Sequence, residues 1–222
     1  MPILPIELEV STKNNREVLI INNKLWFALK RFFDFILALV GIILLFPLIV
    51  TIAVLVFITS PGPIFYRSKR VGTGGRVFKM IKFRSMVVDA DQIGALVTAG
   101  NDPRITTVGK YLRKFKWDEL PSLWNVVKGD MSFVGPRPEN PESVKLYNEV
   151  QKRILNIKPG ITSLATIKYR SEEEILAEAD DLDEAYYKIM QDKLEIDLEY
   201  LDNRSFFKDI KIIFQTLVEI LR

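Results

Sequence analysis

Adjacent carboxylates, Asp118 and Glu119, open the chemically densest stretch of the chain, a string that runs through Pro121, Asn125, Lys128, Asp130 and Gly135 to Pro136-Arg137-Pro138. Two carboxylates in one site can be driven to different ionisation states or can share a divalent cation. A lone Asp-Glu pair is ordinary surface decoration, so its neighbours carry the signal: this pair lies between a basic, aromatic segment and a run of apolar residues. The 222 residues include no His and no Cys. That inventory excludes disulfides, thiolate metal sites, Cys nucleophiles and every His base. Any catalysis must run on carboxylates, hydroxyls, Lys or Arg.

Several elements must position these groups. Ile64 to Val71 and Val77 to Arg84 flank Gly72-Thr73-Gly74-Gly75 and read as a β-hairpin. The loop lacks the Lys-Ser/Thr and following helix of a P-loop, so it is turn chemistry. The second strand places Lys82 and Arg84 on one face with Phe78 and Met80, a pattern that presents cations to a phosphate. Asn101-Asp102-Pro103-Arg104 reads as a turn, after which Thr107 caps a short helix, Val108 to Lys116. That helix exposes Lys110, Arg113, Lys114 and Lys116 beside Leu112, Phe115 and Trp117, as a headgroup-level element does. Nucleic-acid binding is the rival reading of these cations. No recognised module surrounds them, the net charge is only +3, and no nucleic acid is expected.

Upstream, Phe35 to Tyr66 holds 32 residues without a charge, long enough to meet a bilayer. Pro47 divides its heart into Phe35 to Phe46 and Leu48 to Thr59, and at about 1.5 Å per residue each half reaches only about 18 Å. Lys24, Lys30 and Arg31 precede the run and Arg67, Lys69 and Arg70 follow it, so both flanks carry the charge that marks a cytoplasmic side. A hairpin bent at Pro47 and a plain spanning helix both remain open on these grounds. Thr51 is the nearest hydroxyl to the carbonyls freed by the proline, and Asp34 is expected at headgroup depth beside Lys30 or Arg31. Asn22 or Asn23 caps a helix starting near Lys24, with Trp26, Phe27, Phe32 and Phe33 at the interface. Ser11 to Arg16 reads as a polar turn, and residues 1–23 carry no strong signature and are assigned no function.

Charge is segregated. Ser60 to Asp130 carries 13 Lys/Arg against 6 Asp/Glu, whereas Ser171 to Asp202 carries 13 Asp/Glu against 2 Lys. The basic part is expected to face anionic lipid or substrate, with the acidic part turned away. Lys158 to Thr162 reads as a turn. Ser171 and Glu174 form a capping box opening an acidic helix with Ile175, Ala179, Leu182, Tyr186 and Ile189 inward. Ser205 to Leu221 groups Phe206, Ile210, Ile213, Phe214, Leu217 and Leu221 on one face and leans towards a membrane surface. The resulting expectation is a mainly α fold with a small β-hairpin. Its parts are an N-terminal arm (1–23), an interfacial helix and membrane segment (24–66), a compact catalytic domain (67–170), and an acidic helix followed by an amphipathic one (171–222).

Taken together, the proline-broken apolar helix, Lys79-Met80-Ile81-Lys82-Phe83-Arg84-Ser85-Met86, the string Asp118 to Pro138, Lys158-Pro159-Gly160-Ile161-Thr162 and Asn203-Arg204-Ser205 resemble the monotopic phosphoglycosyl transferases. These are the bacterial sugar transferases that begin lipid-linked glycan assembly. The resemblance covers about Lys30 to the C-terminus. It implies a re-entrant membrane helix, a compact cytosolic catalytic domain and residence at the cytoplasmic face of the bacterial inner membrane. It also implies transfer of a phosphosugar from a UDP-sugar to polyprenol (undecaprenyl) phosphate with release of UMP.

By resemblance, Asp118 is the nucleophile that forms an aspartyl phosphosugar, and Glu119 helps deprotonate or position the lipid phosphate. Mg²⁺ is the expected cofactor, bound by Asp118 and the pyrophosphate, where it offsets charge repulsion. Lys82, Arg84, Arg113 and Arg137 clamp phosphate oxygens. Pro136 and Arg137 belong to the nucleotide pocket, and Asp130 is either a supporting ligand or structural. Membrane lipid is a partner, and a homodimer is compatible with the sequence. Phe46 stands where the family often carries Ser, Ser122 where Gln is common, and Ser163 where Gly is common. The alternative class is a non-catalytic membrane anchor whose basic domain binds anionic lipid or a partner. A further alternative is a one-step transferase with Asp118 only as a metal ligand.

Overall fold

A computed structural model describes the backbone of residues 6–93 and 102–221, with side chains described for 26–93 and 102–219. One helix, α1 (Ile6–Thr59), supports everything else. It begins well before Lys24 and includes residues 11–16, so the expected polar turn and the Asn22/Asn23 cap are not formed; Asn101 and the Leu221 side chain lie outside the described residues. Within α1, Trp26–Thr59 is long and apolar enough to cross a membrane by length and composition.

Helical backbone continues on both sides of Pro47, which lies inside α1. Proline removes one donor, the N–H that would bond Ile43 one turn back. Packing on both sides outweighs that loss. Asp34, Ala38, Ile52 and Val56 are buried, and Ile42, Leu45, Leu48, Ile49 and Ala53 fill the spaces between them, so a single stripe at helical spacing passes Pro47 without changing face. Its first half packs on Met80, Leu123, Val126 and Met131, and its second half on Phe83 and Leu112. The opposite face leaves Leu44 74% and Phe57 66% exposed. Thr51 donates to the carbonyl of Pro47 itself at 2.9 Å, not to the carbonyl the proline frees.

Against this stripe lies the hairpin β1 (Phe65–Val71) and β2 (Val77–Phe83), antiparallel with Tyr66 opposite Lys82, as the sequence predicts. After α2 (Ala90–Ile93), helix α3 (Thr107–Lys114) is capped by Thr106, whose hydroxyl accepts from the Gly109 N–H, one residue earlier than expected. A 3-10 turn, Trp117–Ser122, leads into α4 (Leu123–Lys128). Then β3 (Ser132–Val134) pairs in parallel with β4 (Gly160–Thr162), across α5 (Pro141–Lys145) and a 3-10 turn, Gln151–Asn156. Within the segment expected to be a turn, Lys158 to Thr162, the last three residues are thus a strand. Only three residues long, it offers no period for a sequence to display.

The acidic region is two helices after α6 (Leu164–Lys168): α7 (Glu172–Ala177) and α8 (Leu182–Asp202). Ser171 makes no capping bond, and Asp181 caps α8 instead. The inward face of α8 is Ile189, Met190, Lys193, Leu194, Asp197, Tyr200 and Leu201, whereas Ile175 is exposed. α9 (Phe206–Leu221) buries Asp209 and Ile212 and leaves Phe207, Ile210, Phe214 and Leu217 exposed.

Candidate active site

Lys116, at φ 57° and ψ 22°, turns the chain sharply out of α3 into the Trp117–Ser122 turn. Such a left-handed non-glycine backbone costs about 1–3 kcal/mol and persists only where packing over-determines it. Here Trp117 and Leu120 anchor the turn on the Phe83 and Leu112 cluster. Asp118 is carried inward and is 7% exposed, and its Oδ1 has no hydrogen-bond partner among the described residues.

Glu119 is held by two cations. Its Oε1 accepts from Lys82 Nζ at 2.8 Å and from Arg137 Nη2 at 2.6 Å, and its Oε2 accepts from Arg137 Nη1 at 3.3 Å. Lys82 is delivered by β2. Arg137 is delivered by the end of β3, where Gly135 and Gly160 cross at backbone contact. A Cβ on Gly160 would sit 2.2 Å from the Gly135 nitrogen, and one on Gly135 would sit 2.4 Å from the Lys158 oxygen, so neither position admits a side chain. Buried Asn125 fixes α4 against the free edge of β2, accepting from the Ile81 N–H at 3.0 Å and donating to the Lys79 carbonyl at 2.9 Å.

These contacts split the two carboxylates. Burial raises the Asp118 carboxyl above its usual range; Lys82 opposes that rise and Glu119 adds to it. Burial acts on Glu119 in the same direction, yet Arg137 and Lys82 together outweigh it and hold that carboxyl well below its usual range. Burial lowers the Lys82 ammonium, with Glu119 opposing, and Glu119 raises the Arg137 guanidinium. Neighbouring carboxylates pushed apart in this way are the signature of divided roles. Asp118 is the more basic of the two and has an unengaged oxygen. Glu119 is a permanent anion with both oxygens engaged.

The structure therefore brings together Asp118, Glu119, Lys82 and Arg137. Arg84 is not among them: it is buried and donates to the Ser60 carbonyl at the end of the α1 connection, because the chain turns there and leaves that carbonyl without a helical partner. Arg113 bears electrostatically on Asp118, but its guanidinium is paired with Glu173 at 2.7 Å. Part of the acidic region therefore turns towards the basic helix, not away. The Pro136 carbonyl accepts from the Gly160 N–H at 2.9 Å, and the cavity that Pro136 and Arg137 line is about 10 Å³, room for one water. Asp130 accepts from Asn125 at 3.2 Å and from Lys128 at 3.1 Å. Asp34 is buried, accepting from Ser132 Oγ at 2.7 Å and the Phe133 N–H at 3.2 Å, with Lys30 beside it at 3.9 Å as expected.

Asp197 was not legible as a site residue. Buried on α8, it has an Oδ1 with no hydrogen-bond partner among the described residues, and burial pushes its carboxyl up to about 7, with Ser163 and the Arg137 backbone partly opposing. The signal was available in the inward spacing Ile189, Lys193, Asp197 and Tyr200, which places two charges on the core side of the helix.

A model of the family described as bacterial sugar transferases matches residues 25–222. The chain belongs to the bacterial sugar transferase family. Its relatives include the UDP-glucose:undecaprenyl-phosphate glucose-1-phosphate transferase of Xanthomonas campestris pv. campestris, 41% identical over 85% of this chain and 38% of the relative. The galactosyl transferase CpsE of Streptococcus agalactiae is 39% identical over 86% of this chain and 42% of the relative. The exopolysaccharide production protein ExoY of Rhizobium meliloti is 34% identical over 85% of this chain and 83% of the relative. The chain thus spans less than half the length of the first two of these relatives and most of the third. Membership bears out the family assigned on the motifs, and with it a chain whose apolar helix associates with a membrane.

Whether the pair suits Mg²⁺ turns on donor atoms. Among the described residues, no three or more Asp and Glu are placed to hold a metal ion together. Asp118 Oδ1 is a buried oxygen with no partner. Mg²⁺ is commonly held by one or two carboxylates, its remaining positions taken by water and substrate phosphates. A single free carboxylate fits that pattern.

Proposed function

We propose that this chain transfers a sugar 1-phosphate from a UDP-sugar to undecaprenyl phosphate, in two steps, with Asp118 as the nucleophile. The unengaged, burial-raised Asp118 oxygen beside the cluster of Glu119, Lys82 and Arg137 carries this reading. The activity named for the Xanthomonas relative supports the substrate pair.

In the first step an Asp118 carboxylate oxygen attacks the sugar-linked phosphorus. The bond from that phosphorus to the bridging oxygen breaks, and UMP leaves with the bridging oxygen and its electron pair. In the second step a phosphate oxygen of the lipid attacks the phosphorus held on Asp118, restoring the carboxylate and forming the lipid diphosphate sugar. A carboxylate made more basic by burial is the better nucleophile of the pair. Lys82 and Arg137, already gathered by Glu119, are placed to contact incoming phosphate oxygens, with Arg137 suited to a bidentate grip. Glu119, its proton affinity depressed by those cations, serves to position them rather than to take a proton. Asp118 would hold Mg²⁺ with the donor's phosphates, and the ion would supply neutralisation of developing charge.

The site must meet a water-borne donor and a lipid acceptor. The stripe from Asp34 to Val56 keeps the polar body alongside α1 for its whole apolar length. A helix crossing a hydrocarbon core of about 30 Å would drag Lys82 and Arg137 into lipid. A helix dipping into one leaflet, with both basic flanks on the cytoplasmic face, avoids this. Replacing Asp118 with Asn tests the reading: UMP release from UDP-sugars by protein with undecaprenyl phosphate and Mg²⁺ should be lost while the variant stays folded and membrane-bound. A non-catalytic anchor would release no UMP in either form.

A further inference from the structure

A cavity of about 480 Å³ lies away from Asp118. Arg31, on its wall, donates to the Val126 and Val127 carbonyls at 2.5 and 2.7 Å, at the C-terminal end of α4, whereas the Asp118 turn feeds the N-terminal end of that helix. None of Asp118, Glu119, Lys82 or Arg137 lines it. Four cations do: Lys30, Arg31, Lys158 and Arg204, against one carboxylate, Asp34. Asp34 already serves Ser132 and Phe133, and Lys30 is matched by Asp209 at 2.5 Å.

The other three cations have no carboxylate partner among the described residues. Arg31 spends its guanidinium on two carbonyls. Arg204 lies over the Trp26 and Phe27 rings, its carbon 5.7 and 5.4 Å from their centres. Lys158 converges on Arg31: a Cβ on Gly129 would lie 3.5 Å from the Lys158 nitrogen and 3.2 Å from Arg31 Nη2. Burial and Arg31 push the Lys158 ammonium down, with Asp34 and Asp130 partly opposing. Gathered like charges in a roomy, partly aromatic cavity call for an anion.

The walls indicate which anion. Trp26 to Asp34 directly precedes the uncharged run, and the root of α9, whose exposed face carries Phe207 and Phe214, is tied to it by Lys30–Asp209 and by Phe33 against Phe206 at 5.0 Å. Cations and aromatic rings at that level are the usual recognition elements for acidic headgroups. We propose that this cavity binds the phosphate headgroup of an acidic phospholipid through Lys158, Arg31 and Arg204, as a docking site separate from the transfer reaction.

Native mass spectrometry of the full chain in detergent tests this with short-chain phosphatidylglycerol and phosphatidylcholine. Binding at least tenfold tighter for phosphatidylglycerol is expected. That preference should fall at least tenfold in the Lys158→Gln, Arg204→Gln double variant, stay in Lys145→Gln, and return when position 158 is Arg. Equal binding of the two lipids by the unaltered chain overturns the proposal whether or not the variants fold. So does competition by inorganic phosphate, or by a short polyprenyl phosphate, at the concentration at which phosphatidylglycerol binds; the first marks a free-phosphate site and the second an acceptor site. The readout needs no turnover, so its failure is distinct from failure of the transferase reading.

Discussion

Arg137 grips Glu119 with both terminal nitrogens, Nη2 at 2.6 Å to Oε1 and Nη1 at 3.3 Å to Oε2. The grip joins the β3 end to the Asp118 turn, and Lys82 adds the β2 strand through the same Oε1 at 2.8 Å. Three segments distant in sequence are therefore registered on one carboxylate, whose neighbour Asp118 is left unengaged.

Removing that carboxylate leaves two half-buried cations without their hydrogen-bonded counter-ion. Glu119→Ala is expected to cost about 3–5 kcal/mol, seen as a large drop in thermal unfolding temperature. Arg137→Lys keeps the charge and loses the bidentate geometry, so its stability should change little while UMP release falls about 10²-fold. Equal melting temperatures for Glu119→Ala and the unaltered chain would contradict the hub.

Asp197 gives a pH signature. Its carboxyl titrates at about 7 in the fold against an ordinary value of 3.8. Between those values the native state holds a proton that the unfolded chain has lost. Its stabilising contribution is complete below the ordinary value and disappears as pH rises through the folded one, at up to about 1.4 kcal/mol per pH unit. Asp197→Asn should therefore melt higher than the unaltered chain at pH 8, with the gap closing towards pH 5. Parallel melting profiles would remove Asp197 from the account.

The hairpin, the basic helix, α9 and the Asp118 string could be read from the sequence because each carries its signal locally, in alternation, glycine turns or helical spacing. Arg84 could not. Alternation places it on the Lys82 face, but the strand ends there, and its guanidinium follows the free Ser60 carbonyl instead. The β3–β4 pair was hidden because it depends on the Gly135–Gly160 approach, a contact between residues far apart in sequence. Pro47 is legible as a lost donor, but the buried stripe that continues on either side of it depends on partners distant in sequence.

Gly160→Ala tests that crossing. A Cβ 2.2 Å from a backbone nitrogen has no flexible neighbour to displace. The substitution should shift β3, misplace Arg137, reduce UMP release by at least tenfold and lower the melting temperature. Full activity would mean that Arg137 is positioned some other way.

The absence of cysteine makes topology easy to probe. Single cysteines at Asn23 and Ser60 bracket the apolar run. Both should react with a membrane-impermeant maleimide only after the cytoplasmic face is opened. Labelling of one of them from outside intact cells would establish a spanning helix.

The most direct measurement is intact mass of the full chain after incubation with UDP-sugar and Mg²⁺ in the absence of lipid acceptor. The account predicts a phosphosugar adduct on Asp118 that disappears when undecaprenyl phosphate is added and never forms on Asp118→Asn. Transfer to lipid at full rate with no adduct on the unaltered chain, or the same adduct on Asp118→Asn, would contradict it.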